Sequence, residues 1–198
     1  MLEFKPFSDF ISIIGMKAAG KTYRTLYYSH ELQRIIAIDP TWQLGELGYC
    51  VHYPERITPA FLEYKKVIYQ PMHMDQESYT RAFREILRHT NFTCIIDEID
   101  KFASSHGYLC EEVNEIINRG RAQGIGLVCN TRRPFLLHKD IRGNSDHVVC
   151  YQLMEIDDRI YMEKWIGVDR LKLKQLPVHH AYYYDVHRAK LTLENPLK

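Results

Sequence analysis

Residues 15–22, GMKAAGKT, are the sequence feature that most restricts how this chain can fold. They match the pattern G-x-x-x-x-G-K-[ST] at every fixed position, and they lie between an apolar run, residues 10–14, and a stretch with helical period, residues 23–32. In that context the backbone N–H groups of the loop and the positive end of the following helix form a cradle for phosphate. The sequence therefore predicts a phosphate-binding loop that joins a buried strand to a helix.

The residue types in this loop suit a nucleoside triphosphate with a bound cation, so we predict ATP and Mg²⁺ as the ligands. Gly15 and Gly20 let the backbone curl around phosphate oxygens, and Lys21 is expected to reach the β and γ phosphates. The Thr22 hydroxyl is expected to ligate Mg²⁺. Lys17 has two open interpretations: it contacts the γ phosphate or a neighbouring subunit, or it is a solvated loop lysine. The expected nucleotide contacts are Gly15, Met16, Lys17, Ala18, Ala19, Gly20, Lys21, Thr22 and Tyr23.

Short β-rich apolar runs alternate along the chain with segments of helical period, which is typical of an α/β fold with a mainly parallel sheet flanked by helices. Asp75 is a candidate N-cap of one helix, and Thr58 followed by Pro59 predicts the start of another. The residues Leu109, Val113, Ile116 and Ile117 repeat the helical spacing. The tail, residues 181–193, predicts a C-terminal β-hairpin that turns near His187. The predicted strands are residues 10–14, 34–38, 66–70, 93–96, 126–130 and 147–153.

The apolar run at residues 93–96 ends in two adjacent carboxylates, Asp97 and Glu98. Side chains alternate along a strand, so the two are expected to point in different directions. We expect Asp97 to hold the hydrated Mg²⁺ and Glu98 to polarise the water that attacks the γ phosphate. Small-molecule kinases transfer to a bound acceptor and need no such base, so Glu98 favours a P-loop NTPase of the RecA/ASCE type. We interpret Asp100 as a helix cap or a surface charge.

A further apolar run, residues 126–129, ends in the polar segment NTRRP. In P-loop ATPases with the extra glutamate, a strand lies between the phosphate-loop strand and the acidic strand, and its terminal polar residue contacts the γ phosphate. We assign that position to this run. Asn130 or Thr131 is then expected to hydrogen-bond the phosphate or the attacking water, and a strand-end cap remains an equal alternative.

Basic residues are concentrated between residues 118 and 142, where six Lys or Arg and one acid, Asp140, give a local charge of +5 in a chain of net charge +1. One or more of the arginines could complete the ATP site of a neighbouring subunit as a finger, and others could line a channel for DNA phosphates. A solvated charged face is the alternative. The candidates with a catalytic role are Arg119, Arg121 and Arg132.

Composition limits the remaining classes of protein. The 198 residues, 45% hydrophobic and 26% charged, predict one globular domain over residues 1–198. The net charge of +1 argues against nonspecific coating of nucleic acid over the whole surface. No run approaches the roughly 18 apolar residues of a membrane helix, and the start of the chain lacks a signal-peptide pattern, so we expect a protein that neither spans a membrane nor is secreted. The five cysteines, without a C-x-x-C pair, are expected to be buried free thiols.

The order of these motifs resembles the HerA/FtsK superfamily, and more closely the short genome-packaging ATPases of membrane-containing double-stranded DNA viruses, which infect archaea or are tailless phages. The resemblance extends over residues 10–193. It rests on the phosphate loop GMKAAGKT, the acidic strand CIIDEID, the stretch NRGRAQGIGLVCNTRRP, the following IRGNSDHVVCYQL and the terminal AYYYDVHRAKLTL. The first two motifs are generic, whereas the NRGR to TRRP stretch is more specific.

The resemblance implies ATP hydrolysis, assembly into a homo-oligomeric ring, typically a hexamer, and translocation of double-stranded DNA into a preformed viral capsid. It implies Walker A roles for the phosphate loop, Walker B roles for Asp97 and Glu98, and a position near the subunit interface for Arg119 and Arg121. Partners would be DNA and capsid or membrane-vertex proteins, in the host cytoplasm during assembly or at the packaging vertex of the virion. Many relatives have T-Q-R where this chain has Thr131, Arg132 and Arg133, so Arg132 itself is a further candidate for contact with the γ phosphate.

Two other classes of function remain open from the residues alone. A small-molecule P-loop kinase or phosphotransferase would carry label from ATP to an acceptor and not to water. A nucleotide-gated binding or switch module would bind ATP and rarely hydrolyse it, and Glu98 argues against this class because a switch needs no water-polarising carboxylate.

Overall fold

A computed structural model of the chain describes residues 4–105 and 109–197. Its centre is a nine-stranded sheet with the strand order β3-β4-β2-β5-β6-β1-β7-β8-β9. The strands are β1 (Phe10–Ile14), β2 (Ile35–Ile38), β3 (Tyr49–Val51), β4 (Lys66–Tyr69), β5 (Phe92–Ile96), β6 (Ile125–Thr131), β7 (His147–Cys150), β8 (Ala181–Asp185) and β9 (Lys190–Glu194).

In this order, all neighbouring strands up to and including β7 pair in parallel. At the end of the sheet, β8 pairs antiparallel with β7, and β9 pairs antiparallel with β8. β6 lies between β1 and β5, as the sequence predicts, with Ile14 level with Thr131 and Ile96 level with Cys129. We call the side of the sheet where β1, β2, β5 and β6 end the carboxyl edge, and the side where they begin the amino edge. Side chains that follow these four strands therefore meet at the carboxyl edge.

Helices cover both faces of the sheet, which explains why its strands are continuous apolar runs. In β2, Ile36 and Ile38 pack on one face with Phe83 of α3, whereas Ile35 and Ala37 pack on the other. The helices are α1 (Lys21–Ser29), α2 (Ile57–Tyr64), α3 (Gln76–Ile86), α4 (Glu111–Arg119), α5 (Lys139–Asn144), α6 (Ile156–Ile166) and α7 (Arg170–Gln175).

The structure confirms the α/β class, the mainly parallel sheet, the six predicted strands and the hairpin, with shifts at the strand ends. The prediction for β7 is too long, because the chain leaves the sheet after Cys150. Asp75 is confirmed as an N-cap, since its carboxylate accepts from the N–H of Ser78. Thr58 is not an N-cap: α2 begins at Ile57, and the Thr58 hydroxyl donates to Glu85 of α3.

Several elements carry too little pattern to be recognised in the sequence. β3 has three residues and is an outermost strand of the sheet, while α5 and α7 have six residues each. Leu109 lies before α4 and not on its apolar face.

Cysteine burial agrees with the sequence prediction. All five thiols are free; Cys94, Cys110, Cys129 and Cys150 are buried, and Cys50 is partly exposed. Among the described residues, no helix has both the length and the apolar character needed to cross a bilayer.

Candidate functional site

The predicted phosphate loop connects β1 to α1 at the carboxyl edge. Gly20 precedes the first residue of α1 with φ 110°, in the left-handed region that favours glycine. Gly15 is required for a different reason, because a Cβ at this position would lie 2.6 Å from the Cβ of Tyr151. Tyr151 follows β7 and supports the loop from behind, so the neighbouring strand helps to hold the loop's curvature.

Lys21 is the buried cation of this loop. Its Nζ donates to the carbonyl oxygens of Gly15 at 2.8 Å and Met16 at 3.0 Å. Burial, with a smaller contribution from Arg132, lowers the pKa of Lys21 to about 8, against the opposing effect of nearby carboxylates. The side chain thus lies folded against its own loop, where an added anion would both replace its carbonyl contacts and raise its pKa.

Asp97 is buried at the end of β5, with 6% of its surface exposed. Its Oδ2 accepts from the Thr41 hydroxyl at 2.6 Å, and its Oδ1 accepts from the Asn130 amide at 3.1 Å. The Asn130 side-chain oxygen in turn accepts from Thr25 of α1 at 3.0 Å. Asn130 is therefore a bridge between α1 and Asp97.

Asp97 and Glu98 both line the same cavity, and Glu98 lies beyond the end of β5, so the strand alternation expected from the sequence does not extend to it. Its backbone has φ 51°, and its carboxylate forms ion pairs with Lys101 and with Arg132, the latter at 2.8 Å between Oε1 and Nη2. The two carboxylates at the end of β5 therefore have different partners: Asp97 contacts neutral donors, and Glu98 contacts two cations of the same chain.

The end of β6 carries the other predicted contacts. The Thr131 hydroxyl donates to Asp100 at 2.8 Å and accepts from the N–H of Arg133 at 3.0 Å. The interpretation of Asp100 as a cap or surface charge is wrong, because its side chain is half-buried and orients Thr131; burial raises the pKa of this carboxyl. Thr131 is thus fixed by two contacts at the rim of the site.

These elements enclose one cavity of about 330 Å³ at the carboxyl edge. Three of the predicted nucleotide contacts do not line the cavity: the carbonyls of Gly15 and Met16 accept from Lys21, and Ala19 is buried. The cavity is lined by Lys17, Ala18, Gly20, Lys21, Thr22, Tyr23, Gln43, Asp97, Glu98, Asn130, Thr131 and Arg132.

The Thr22 hydroxyl and the Asp97 carboxylate both line this cavity, and both are oxygen ligands that suit a hard cation such as Mg²⁺. Protein sites for Mg²⁺ bound with a nucleotide need only one or two such groups, because phosphates and water complete the shell. The residues present therefore fit the predicted cation.

Sequence reasoning missed Thr41 and Gln43, which lie after β2. Gln43 lines the cavity and its Oε1 accepts from the Thr22 hydroxyl at 3.0 Å, while Thr41 contacts Asp97. No motif identifies them. The signal that could have found them is their position directly after a buried parallel strand, because such ends meet at one edge of a sheet.

Arg119 and Arg121 lie at the amino edge, away from the cavity of their own chain. Arg121 donates to both oxygens of Asp146, at 2.7 and 2.6 Å, and to the carbonyl of Ser8 at 3.2 Å. Arg119 is exposed at the end of α4, and it forms no ion pair within the described part of the chain. A role in a neighbour's site stays a prediction for both residues.

The basic stretch between residues 118 and 142 does not form one surface. Arg121 pairs with Asp146 at the amino edge, whereas Arg132 pairs with Glu98 at the carboxyl edge. Arg133 pairs with Asp158, whose side chain is 2% exposed, and the Arg142 guanidinium lies 5.9 Å from the ring centre of Tyr161. The basic residues are thus divided between the two edges, because β6 lies in the middle of the stretch.

Comparisons with known proteins give solved structures of similar fold. The genome packaging NTPase B204 from Sulfolobus turreted icosahedral virus 2, in complex with AMPPCP, has a TM-score of 0.79 and 19% identity over 98% of this chain and 100% of that chain. B204, the DNA-packaging ATPase from Sulfolobus turreted icosahedral virus, has a TM-score of 0.77 and 20% identity over 98% and 100%. VirB4 of Thermoanaerobacter pseudethanolicus has a TM-score of 0.71 and 8% identity over 95% and 89%.

No family model matches the chain, and no curated protein sequence matches it. The structural likeness therefore shows the fold: a mainly parallel sheet flanked by helices, of the type found in these solved structures, with an antiparallel terminal hairpin.

Proposed function

We propose that this chain is the ATP-hydrolysing subunit of a motor that translocates double-stranded DNA into a viral capsid. The observation that carries the proposal is the cavity at the carboxyl edge, where Lys21, the oxygen pair of Thr22 and Asp97, and Glu98 line one space. The likeness in fold to B204, a packaging NTPase solved with AMPPCP, supports this choice among P-loop functions.

The phosphate loop binds the triphosphate through its backbone and through Lys21. The Lys21 ammonium exchanges its contacts to the Gly15 and Met16 carbonyls for phosphate oxygens, which suits a cation already desolvated in the free chain. Thr22 and Asp97 hold the cation, which when bound supplies positive charge next to the phosphates.

Hydrolysis requires Glu98 to accept a proton from the attacking water. Arg132 and Lys101 form ion pairs with this carboxylate. A γ phosphate in the cavity competes with Glu98 for the Arg132 guanidinium. When the guanidinium binds phosphate oxygens instead, a Glu98 oxygen is left able to accept the proton. The water oxygen then bonds to the γ phosphorus, the bond to the β-phosphate oxygen breaks, and ADP and phosphate leave.

Assembly into a ring, with six subunits as the expected number, would place an arginine of one subunit at the ATP site of the next. Of the two candidates, Arg119 is free to contact a neighbouring subunit, because Arg121 already binds Asp146 and the Ser8 carbonyl of its own chain. We assign the finger to Arg119. The ring would act with double-stranded DNA and with capsid or membrane-vertex proteins, in the host cytoplasm or at the packaging vertex.

The test is ATP hydrolysis by the purified chain, with and without double-stranded DNA, using γ-labelled ATP. We expect DNA to stimulate release of labelled phosphate, and Glu98→Gln to lower the turnover by about 10² to 10⁴-fold, the usual contribution of a general base. Lys21→Ala should abolish binding of the nucleotide. Lys172→Ala, an exposed lysine on α7, serves as the matched control.

Transfer of label to an acceptor instead of water would favour a phosphotransferase and contradict the proposal. Nucleotide binding without hydrolysis, in a ring assembled on DNA, would identify a switch. Electron microscopy of the chain with AMPPCP and DNA would show whether the ring forms.

A further inference from the structure

The loop at residues 39–44, which we call the Asp39 loop, joins the two groups assigned to the cation. It leaves β2, which lies next to β5 in parallel register, so that Ile38 is level with Ile96. The Asp97 N–H donates to the Ile38 carbonyl at 3.0 Å. The Asp39 loop therefore begins beside the acidic strand end, at the floor of the cavity.

A buried carboxylate fixes the conformation of this loop. Asp39 is fully buried, and its oxygens accept from the N–H groups of Gln43 and Leu44 at 3.0 and 2.9 Å and from the Gln70 amide at 3.0 Å. Leu44 is also fully buried and anchors the far end of the loop. The loop is thus held by the buried Asp39 carboxylate, which contacts the loop's own backbone and the Gln70 amide.

One side chain of the Asp39 loop contacts each of the two groups proposed to bind the cation. The single hydrogen of the Thr41 hydroxyl is donated to Asp97 Oδ2 at 2.6 Å, closer than the Asp39 oxygen at 3.3 Å. Gln43 Oε1 accepts the hydrogen of the Thr22 hydroxyl at 3.0 Å. A hydroxyl has one donor and two acceptor lone pairs, so donation to Gln43 leaves the lone pairs of Thr22 for a cation.

We propose that Thr41 and Gln43 are positioning residues that orient Asp97 and Thr22 for the divalent cation that accompanies the nucleotide. The inference rests on the proposed function, since it concerns the same cavity. Hydrogen-bond partners behind metal ligands fix the orientation of the ligands and usually change metal affinity or activity by about 10 to 100-fold when removed. One rigid loop that holds both ligands keeps their separation constant before the cation binds.

The test measures cation affinity directly, by electron paramagnetic resonance of Mn²⁺ added to the full chain with AMPPCP. Thr41→Val keeps the shape of the side chain and removes the hydroxyl, and we expect Mn²⁺ affinity to fall about 10-fold or more. Thr41→Ser restores the hydroxyl and should restore the affinity. Affinity for AMPPCP in EDTA should change by less than about twofold in Thr41→Val, because the cation is then absent.

Gln43→Met supplies a second variant that does not threaten folding, because Gln43 is exposed. It removes the acceptor of the Thr22 hydrogen and should also weaken Mn²⁺ binding. Unchanged Mn²⁺ affinity in both variants would overturn the inference. An equal loss of AMPPCP affinity with and without the cation would also overturn it, since the loop would then only support the fold. If the unmodified chain does not bind AMPPCP, or binds it as tightly after Lys21→Ala, the proposed function itself fails.

Discussion

The two edges of the sheet use the same kinds of side chain for different purposes. At the carboxyl edge, Lys21, Arg132, Asp97 and Glu98 surround a cavity. At the amino edge, Asp146 is enclosed by partners: it accepts from the N–H of Phe10, from Arg121 and from His187. Both edges bury a carboxylate beside an arginine, and both have a cavity, of about 330 Å³ at the carboxyl edge and about 380 Å³ at the amino edge. The difference is that the carboxyl edge also buries Lys21, whose ammonium contacts backbone carbonyls.

The pKa values record this difference. Burial lowers the pKa of Lys21 to about 8 at the carboxyl edge, where no carboxylate touches its ammonium directly. At the amino edge burial raises the pKa of Asp146, but hydrogen bonds from Phe10, Arg121 and His187 outweigh burial and lower it overall. At the carboxyl edge the Lys21 ammonium thus contacts backbone carbonyls and no carboxylate among the described residues, whereas at the amino edge the charge of Asp146 is compensated by its hydrogen-bond partners.

The largest effect is expected if the amino edge acts in catalysis through a neighbouring subunit. Arg119→Ala should lower the DNA-stimulated ATPase rate of the ring by about 10³-fold, as expected for an arginine finger. Arg121→Ala should instead lower the midpoint of thermal unfolding, because it releases Asp146. Both changes are compared by ATPase assay and calorimetry.

A mixing experiment tests whether Arg119 acts across subunits. Lys21→Ala subunits retain Arg119 but bind no nucleotide, and Arg119→Ala subunits retain the cavity but lack the finger. Mixed rings should recover part of the activity that each variant lacks alone. Wild-type turnover by Arg119→Ala, or absence of recovery in mixed rings, would exclude this assignment.

The second prediction concerns pH at the carboxyl edge. In the nucleotide-free chain the pKa of Lys21 is about 8, and a bound triphosphate raises it. Affinity for AMPPCP should therefore be highest below that pH and fall by up to about tenfold for each pH unit above it. Titration by fluorescence between about pH 7 and 9.5 measures the slope.

Lys21→Arg is the matched control for this slope, since a guanidinium stays protonated throughout the range. Its affinity should depend less on pH, whatever its absolute value. A wild-type affinity that stays constant above pH 8 would show that Lys21 is not the titrating cation.

The smallest effect is expected at the amino edge. Asp146→Asn keeps an acceptor for Phe10 and removes the charge that Arg121 and His187 contact, so the free energy of unfolding should fall by about 1 kcal/mol at neutral pH, since both partner side chains are exposed. Because the native pKa of Asp146 is lowered, its contribution is complete above the ordinary value of 3.8 and is lost as pH falls through the native pKa.

Urea unfolding of Asp146→Asn and the unmodified chain at several pH values measures this difference. The two curves should converge in acid, and AMPPCP affinity should be the same for both chains at neutral pH. A variant that loses nucleotide binding without losing stability would show that the two edges are coupled.

Much of the carboxyl edge was predictable because its residues are tied to local patterns. The phosphate loop needs glycine and lysine at set positions, and Asp97 and Glu98 end an apolar strand. The place of β6 between β1 and β5 also followed from the motif order. Partners that come from distant segments carry no such pattern: Tyr151 behind the loop is an example.

The residues that could bind phosphate and polarise water can be identified from the sequence, because these roles depend on residue type and on neighbours along the chain. Which charges remain available depends on the folded chain. Folding divided the basic stretch around β6 between two edges, committed Arg121 to Asp146 and placed Thr41 and Gln43 against Asp97 and Thr22. Such pairings depend on distances between strands that are remote in sequence, and only the folded sheet sets those distances.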